Sequence, residues 1–315
     1  MDVLSNVLDA VHISGAVLFR VEFGDPFAYS TPPSEQYAPM LVKHARRLMM
    51  FHLVLAGGCL LQVGNGEPVE VGAGDVIMLP RGDALMLADA SAPPAESIFG
   101  CLPPFPWLEP VQLTLGGDGP RTTIICGFLH TDEAILGPLI ADLPSLVVVR
   151  TATALPRLKA MLAYTVEELQ AGRPGSPSIV NRLTEVLFIE VLRHTLIDSE
   201  HTTLLAALRD PIVGRTLAAL HGDPARPWTV EEMARAAASS RTLVAERFHA
   251  LVGCPPAEYL ARWRMQLAAR RLHDGRQSTA AVAESVGYQS ESAFNRAFQR
   301  YLGETPAAWR RQRRG

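Results

Sequence analysis

The sequence predicts an α+β protein: a β-barrel and a helical hairpin, followed by an all-α region of two helix-turn-helix units. Three observations lead to this fold class. Residues 1–150 alternate short apolar runs with glycines and prolines, which is typical of closely spaced strands. Two helical patterns then surround a loop at 171–177, and the last third of the chain contains one pattern twice. The expected domains are 1–150, 151–207 and 208–315.

The strand pattern is clearest between residues 49 and 87. Glycine-containing turns at Gly57-Gly58, at Gly64 to Gly66 and at Gly72 separate short apolar runs. The strands expected around these turns run from Met49 to Val54, up to Val63, from Val69 to Val71 and from Val76 to Leu79. Several short strands with glycine turns favour a barrel or a sandwich.

A helical hairpin is predicted next, with helices over 155–170 and 179–196. Val180, Leu183, Leu187 and Val191 give the second helix a broad apolar stripe, with Leu192 beside it. This stripe is expected to pack within the chain, where it would close the barrel, or to pair with a second subunit. A linker is expected over 201–211.

The last third of the chain repeats itself. Ser239–Gly253 recurs as Gln289–Gly303, and each copy is followed by a proline and an aromatic residue. Phe248 aligns with Phe298, so residues that pack keep their spacing while exposed residues differ. A duplicated structural unit with two different outer faces is therefore predicted.

Local signals define the first copy of this unit. Thr229 stands three residues before Glu232, a capping box that starts a helix near Val230. Ser240 is expected to cap a second helix, and Gly253 is expected to end it. Two short helices joined by a tight turn form a helix-turn-helix, whose second helix can lie in the major groove of DNA.

The second copy follows the same plan. Thr279 is expected to open its first helix, which runs through Val286, and Ser290 to cap a helix that ends at Leu302. A connecting helix over 256–273, roughly 27 Å long, is predicted between the two units. It would hold the two reading helices about 34 Å apart, one turn of DNA.

Charge is distributed unevenly, although the net charge of the whole chain is only −3. Residues 209–315 hold 17 arginines and no lysine against 10 acidic residues, a formal charge of +7. The preceding 208 residues hold 12 basic and 22 acidic residues, a charge of −10. Because a basic region displaces phosphate counterions, this part of the chain is expected to bind double-stranded DNA with salt-sensitive affinity.

The stretch VAESVGYQSESAFNRAFQRYLGETPAAWR, 282–310, resembles the signature of the AraC/XylS family of bacterial transcription regulators. The resemblance covers about the last hundred residues and implies DNA and RNA polymerase as partners, with activation favoured over repression. The base-facing positions that it implies, with their plausible neighbours, are Arg241, Thr242, Ala245, Glu246 and Arg247 in the first unit and Ser292, Ala293, Asn295 and Arg296 in the second.

These positions differ in what they can do on DNA. Arg296 is the first choice because a guanidinium can bond guanine O6 and N7 together. The first unit departs from the family pattern at Ala237 and Val244, and Ala245 and Glu246 are poor DNA contacts, so weak base reading is expected there. The closing arginines are expected to contact the DNA backbone: Arg310, Arg311, Arg313 and Arg314. The aromatic residues of both units are expected in the core.

The pattern G-x-G-D-V-x-x-L-P-R-G at 72–82 resembles the cupin barrel that precedes the DNA-binding domain in one AraC-type subfamily. Such a barrel would bind a small-molecule effector, with His52 as a pocket residue. The histidines of this region, His12, His44, His52 and His130, form no H-x-H pair, and Leu85 stands where relatives commonly have histidine. We therefore expect no metal, no cofactor and no catalytic residue, while a cupin metalloenzyme with a DNA-binding appendage remains the alternative.

The remaining features concern redox state and location. Cys59, Cys101, Cys126 and Cys254 show no C-x-x-C spacing, so reduced thiols are expected. Cys126 is a candidate oxidant sensor, although a buried structural thiol is the favoured interpretation. No apolar run reaches the roughly 20 residues of a membrane span and no secretory signal is seen, so no membrane partner and a cytoplasmic location are expected.

The sequence therefore predicts a sequence-specific DNA-binding transcription regulator that responds to a small molecule or to stress through its cupin-like domain. The family resemblance alone implies that it is an activator and that it forms a homodimer through the helical hairpin. Besides the metalloenzyme, a constitutive regulator with a vestigial barrel stays open. The effector, the operator, the target genes and the sign of control are not determined by the sequence.

Overall fold

The computed structural model describes residues 13–43, 45–91, 93–107, 109–131, 140, 143–150, 156–171, 173–198, 203–273 and 277–312. These residues form two compact units. The sheet unit contains 13–131 and 143–195, and the helical unit contains the helices between residues 203 and 312.

The sheet unit consists of two sheets that share one apolar core. The first sheet has the strand order β11-β6-β3-β10-β1-β9 and the second the order β5-β4-β7-β2-β8. The strands are β1 (Ile13–Gly24), β2 (Ala28–Thr31), β3 (Met49–Ala56), β4 (Gly58–Val63), β5 (Val69–Gly72), β6 (Val76–Leu79), β7 (Leu85–Ala88), β8 (Glu96–Ser97), β9 (Val111–Gly116), β10 (Arg121–Thr131) and β11 (Val147–Val149).

The closed barrel expected from the sequence is not found among the described residues, whose strands form two separate hydrogen-bonded sheets. The reason lies in how the edges of β3 are used. β6 and β10 pair with its two edges, so β4 finds no free edge there and pairs with β5 and β7 instead. Gly57, with a φ of 73°, provides the left-handed turn that takes the chain from one sheet to the other.

Both faces of the six-stranded sheet are covered. Met50 and His52 of β3 line a cavity inside the unit, whereas Phe51 and Leu53, which alternate with them, face the other side. Successive residues of a strand point to opposite faces, so a strand covered on both faces is apolar throughout. This explains why MMFHLVLA lacks the alternation of a half-exposed strand.

The outer face of this sheet packs against a helical hairpin. Its helices are α2 (Pro156–Ala171) and α3 (Ser176–Asp198), close to the predicted bounds; a short helix α1 (Ala38–Leu41) precedes them in the chain. Leu187 and Val191 of the predicted stripe line the interface with the sheet. Arg157 and Glu190 join the two helices by an ion pair of 2.8 Å. The stripe therefore packs within the chain, which is one of the two arrangements that the sequence predicted.

The helical unit contains α4 (Thr203–Arg209), α5 (Val213–Gly222), α6 (Val230–Ala236), α7 (Arg241–Val252), α8 (Pro256–His273), α9 (Thr279–Ser285), α10 (Glu291–Leu302) and α11 (Pro306–Gln312). The linker predicted over 201–211 is wrong in its described part, because α4 occupies most of it and packs against α7. Ala207 of α4 is fully buried, so this segment belongs to the folded unit.

The predicted helix boundaries of the first pair, α6 and α7, are confirmed. Thr229 and Glu232 form the capping box, and Ser240 accepts a hydrogen bond from the backbone of Leu243 at 3.2 Å. Gly253 ends α7 in a left-handed conformation. In the turn between these helices, however, Ala238 takes the positive φ of 49°.

The second pair, α9 and α10, differs from the prediction at one cap. Ser278, rather than Thr279, caps α9, since its hydroxyl accepts from the backbone of Ala281 at 3.1 Å. Ser290 caps α10 as predicted, and Gly303 ends it. Thr279 was predicted as the start because it lies fifty residues after Thr229 in the repeat. The neighbouring Ser278 provides an equivalent hydroxyl oxygen, and this oxygen caps the helix.

The aromatic residues of the helical unit form its core, as predicted. Phe248 and Phe298 are fully buried, and Trp263 and Trp309 nearly so. His221 stacks on Trp263, with ring centroids 4.1 Å apart, and contacts the Tyr259 hydroxyl at 2.8 Å. Among the described helices, none is long and apolar enough to cross a membrane.

Candidate nucleic-acid interface and inner cavity

The outer face of α7 follows from which of its residues are buried. Val244 and Phe248 point into the core, and a helix that buries these positions turns the residues between them outward. Thr242, Ala245 and Glu246 are accordingly exposed. Three of the residues named from the sequence therefore share the free face of α7.

Helix α10 has the same arrangement with different chemistry. Phe294 and Phe298 are buried, Ser292 and Arg296 are exposed, and Ala293 and Asn295 are half-buried. The Oδ1 atom of Asn295 is buried and has no hydrogen-bond partner among the described residues. The hydroxyl of Ser292 lies 2.9 Å from that of the capping residue Ser290.

The arginines of the two reading helices differ in their partners. Arg241 forms an ion pair with Glu231 of α6. Arg247 forms one with Asp210 at 2.7 Å. For Arg296, the described part of the chain offers no hydrogen-bond or ion-pair partner. Two cations of α7 are thus neutralised within the protein, whereas the cation at the centre of α10 is available.

The closing arginines also differ from one another. Arg310 donates to the carbonyl oxygen of Gln277 at 2.7 Å, and its Nε is buried without an acceptor within the described residues, so this side chain supports the fold. Arg311 is exposed at the end of α11. Arg313 and Arg314 lie outside the described residues.

Arg264 of the connecting helix α8 joins the two helix pairs, and the sequence analysis did not single it out. Its guanidinium donates to the carbonyl oxygens of Pro224 and Arg226, both at 2.7 Å, in the loop before α6. The same group lies 5.9 Å from the ring centroid of Tyr288, in the turn before α10. The signal available in the sequence was an arginine between Trp263 and Met265, two apolar residues of a helix that was predicted only as a spacer.

The turn of the second pair approaches the same loop closely. Gly287 has a φ of 87°, and a Cβ atom at this position would lie 2.4 Å from the backbone oxygen of Ala225. Only glycine fits such an approach without displacing the backbone. Gly287 and Arg264 therefore both contribute to the contact between the second helix pair and the loop before the first.

The sheet unit holds a second candidate site, an inner cavity between its two sheets. It encloses about 670 Å³ of empty space, counting the space at its mouth. Its walls come from both sheets and from the segments that cover them: Leu18, Phe19, Val21, Phe23, Tyr29, Thr31, Tyr37, Met40, Leu41, Met50, His52, Leu85, Leu87, Ile98, Phe99, Trp107 and Cys126. Leu85, named from the sequence for the missing histidine, is one of them.

His52 and Cys126 form a buried pair on the wall of the inner cavity. Nδ1 of His52 lies 3.0 Å from Sγ of Cys126, across the neighbouring strands β3 and β10. Burial lowers the pKa of the His52 imidazole to about 4 and raises the pKa of the Cys126 thiol to about 12. Both groups are therefore neutral near pH 7. A thiol with such a pKa is a poor nucleophile, which favours the structural interpretation of Cys126 over the redox one.

The described residues contain no group of three or more His, Cys, Asp or Glu side chains that could hold a metal ion. His12 and His44 lie outside the described residues, and His130 is half-buried in β10. The cysteines of the chain are all free thiols.

Comparisons with known proteins agree with this architecture. Residues 2–197 match the family described as Cupin, and residues 233–312 match the family described as Helix-turn-helix domain. A protein of Streptomyces antibioticus named as an AraC-like transcription regulator is 37% identical over 278 residues, which cover 86% of this chain and 89% of that protein. The RCS-specific HTH-type transcriptional activator RclR of Escherichia coli is 28% identical over 197 residues, 61% of this chain and 69% of RclR.

A solved structure, the DNA-binding domain of AdpA in complex with a target DNA, is 33% identical; it covers 33% of this chain and 94% of that chain, with a TM-score of 0.32. The cupin match spans more than half of this chain, and the Streptomyces antibioticus relative is matched over most of both proteins. The chain belongs to the AraC-like family of DNA-binding transcription regulators and carries an N-terminal cupin domain.

Proposed function

We propose that this regulator reads DNA with α7 and α10 in two successive major grooves, and that α10 provides most of the base discrimination. The observation that carries the proposal is the contrast between the arginines. Arg241 and Arg247 are ion-paired, whereas Arg296 is exposed and without a partner in the described part of the chain. An unpaired guanidinium at a groove-facing position suits bidentate contact with guanine.

The other residues of this surface have supporting roles in the proposal. Thr242, Ser292 and Ala293 make short contacts to base edges or phosphate, while Ala245 and Glu246 limit reading by the first pair. Arg311 contacts the DNA backbone. Arg310 and Asn295 each have buried polar atoms, so they support the surface more than they contact bases.

Footprinting on DNA upstream of the protein's own gene, over a series of salt concentrations, tests this proposal. The wild-type protein should protect two adjacent major grooves, and Arg296→Ala should lose discrimination by about 1–3 kcal/mol at one base pair. Arg182→Ala is the matched control, because Arg182 is an exposed arginine of α3 in the sheet unit. A uniform loss over all sequences in Arg296→Ala would show that Arg296 contacts phosphate only, and equal losses in both variants would contradict the proposal.

The domain division proposed for this function keeps the sequence-based bounds of 1–150 for a sensor, 151–207 for the hairpin region and 208–315 for the DNA-binding part, except that α4 is assigned to the DNA-binding part. The inner cavity, with His52 on its wall, is the proposed effector site. Cys126 serves there as a structural thiol. Binding of an effector is expected to change the affinity of the protein for its operator.

Activation, contact with RNA polymerase, a homodimer and a cytoplasmic location belong to the same proposal. The name of RclR as an activator supports the sign of control. The exposed Val186 on α3 and Tyr164 on α2 provide apolar surface for a second copy of the hairpin. Sedimentation of the protein with and without operator DNA, and transcription in vitro with purified polymerase, would test these points.

Two other functions make different predictions. A constitutive regulator with a vestigial cavity would bind its operator with the same affinity whatever small molecule is added. A cupin enzyme with a DNA-binding appendage would retain stoichiometric metal on purification and turn over a substrate. Metal analysis of the purified protein, together with the DNA-binding series, separates the three.

A further inference from the structure

The walls of the inner cavity are mainly apolar and carry no charged side chain among the described lining residues. Its described lining contains no Lys, Arg, Asp or Glu. The polar groups on it are His52, Cys126, Tyr29, Tyr37 and Thr31, and some of these are already engaged. The hydroxyl of Tyr29 accepts from the backbone of Gly116 at 3.2 Å, and that of Thr31 lies 3.5 Å from the carbonyl oxygen of Leu85.

One residue of this wall, His52, has a buried polar atom that lacks a partner in the described part of the chain. The side chain of His52 is 4% exposed, and its Nδ1 contacts Cys126. Its Nε2 is buried and has no hydrogen-bond partner among the described residues. A buried polar atom without a partner is destabilising, and a ligand that bonds to it would remove that penalty.

The charge state of the wall limits which ligand can do so. The neutral forms of His52 and Cys126 provide no counter-charge for an anion or a cation. Transfer of an ionised group into an apolar site without a counter-ion is strongly unfavourable. A sugar would place several hydroxyl groups against a wall that has few free hydrogen-bonding groups. Polyols are therefore also disfavoured.

We infer that the inner cavity binds an uncharged, mainly apolar molecule with a single hydroxyl group, which bonds to Nε2 of His52. A hydroxyl fits either tautomer of the imidazole. It donates when the proton lies on Nδ1 and faces Cys126, and it accepts when the proton lies on Nε2. The aromatic residues Phe19 and Trp107, which pack edge to face at 5.2 Å, favour a ring in the molecule.

The character of the lining agrees with this class of ligand. Sites for small molecules are mostly apolar with a few polar groups that orient the ligand. The inner cavity has the same composition, and its space of about 670 Å³ includes the open region at its mouth. A substituted phenol is the smallest probe that combines an apolar ring with one hydroxyl group.

Calorimetry on the full-length wild-type protein tests the inference with three matched probes: para-tert-butylphenol, para-tert-butylbenzoate and tert-butylbenzene. The phenol should bind, and the benzoate should bind at least about 100-fold more weakly because its charge is unpaired in the cavity. The hydrocarbon should bind about tenfold more weakly than the phenol, since it leaves Nε2 without a partner. Equal or tighter binding of the benzoate, or no binding of the phenol, would overturn the inference.

His52→Met tests the role of the histidine itself. It should reduce the affinity for the phenol about tenfold and leave the affinity for the hydrocarbon unchanged, which a general loss of packing would not do. Leu85→Phe, which fills the cavity from the opposite sheet, should weaken both probes alike. If His52→Met does not fold, the comparison of probes on the wild-type protein still decides the question.

The inference rests on the proposed function only where the bound molecule is taken to be the effector, and the experiment keeps the two apart. Operator affinity is measured on the same protein with and without the phenol. Phenol binding with unchanged operator affinity supports the ligand class and contradicts the effector role. Operator binding without any phenol binding overturns the ligand class and leaves the regulator intact.

Discussion

Asp210 holds Arg247 of the first reading helix through an ion pair of 2.7 Å while its other oxygen accepts backbone hydrogen bonds from Ile212 and Val213, both at 2.9 Å. Burial opposes ionisation of this carboxyl group, yet the two backbone donors and Arg247 lower its pKa below the usual value. Asp210 thus binds the backbone just before α5 and at the same time neutralises a cation of α7.

Asp210→Asn should release Arg247 without removing the backbone hydrogen bonds of Ile212 and Val213, because the amide oxygen of asparagine can still accept them. One additional phosphate contact would make the slope of log K against log salt concentration steeper by about 0.9. Titration of operator DNA at several salt concentrations measures this slope. The double variant Asp210→Asn/Arg247→Ala should return to the original slope, and an unchanged slope in Asp210→Asn would mean that Arg247 does not reach phosphate.

Gly287→Ala should destabilise the helical unit more than Gly253→Ala. Both glycines have a positive φ, of 87° and 78°, so the conformational cost of alanine, about 1–2 kcal/mol, is shared. Only at Gly287 would the new Cβ meet backbone, 2.4 Å from the oxygen of Ala225, whereas nothing lies within 4 Å at Gly253. The measurement is denaturation in urea, followed by tryptophan fluorescence in a Trp107→Phe background. The chain has four tryptophans, and the three that remain in this background all lie in the helical unit, so the signal reports on that unit. Equal midpoints for the two variants would contradict the close approach.

Arg264→Met should cost about 2 kcal/mol of stability, since methionine keeps much of the apolar stem but frees two carbonyl oxygens, those of Pro224 and Arg226. DNA affinity should also fall, because α8 would no longer bind the loop before α6 or contact the turn before α10. Arg262→Met is the control. Arg262 pairs with Glu258 one turn away at 2.6 Å, with both side chains more than a third exposed, and such a pair contributes less than about 0.5 kcal/mol. Similar losses in both variants would count against Arg264 as the junction.

The sheet unit should become less stable as pH falls. Burial lowers the pKa of His52 from 6.5 to about 4, so the unfolded chain takes up a proton that the folded protein excludes between these values. The stability is present above pH 6.5 and is lost toward pH 4, at up to about 1.4 kcal/mol per pH unit. Hydrogen exchange in peptides of β3 and β10, corrected for intrinsic exchange, measures it. His52→Met should flatten this dependence, and the same slope in that variant would assign the effect to other groups.

Local signals made the helical unit predictable. Thr229, Ser240 and Gly253 act within four residues of their own position, so caps and stops could be read without knowledge of the fold. The buried phenylalanines followed from helical periodicity in the same way. The cap at Ser278 was missed only because two neighbouring residues can both provide the oxygen.

Contacts between residues that are far apart in the chain could not be predicted from the sequence. The helix over 203–209 packs against α7, thirty and more residues later in the chain, and no local pattern indicates that contact. The pairing of Asp210 with Arg247 likewise spans 37 positions. No periodicity indicates such a contact, and so Arg241 and Arg247 were both counted among the plausible DNA contacts.

The sequence by itself determined the class of the protein: strands followed by paired helices, a basic C-terminal region, and a repeat whose caps and core positions specify two similar units. Only the tertiary structure decided that the strands form two sheets around a cavity without charge, that His52 keeps one ring nitrogen unbonded there, and that Arg296 is available while Arg247 is held. The physical reason is that caps and periodicity act over a few residues, whereas edge pairing, burial and ion pairing depend on groups that meet only after the chain has folded.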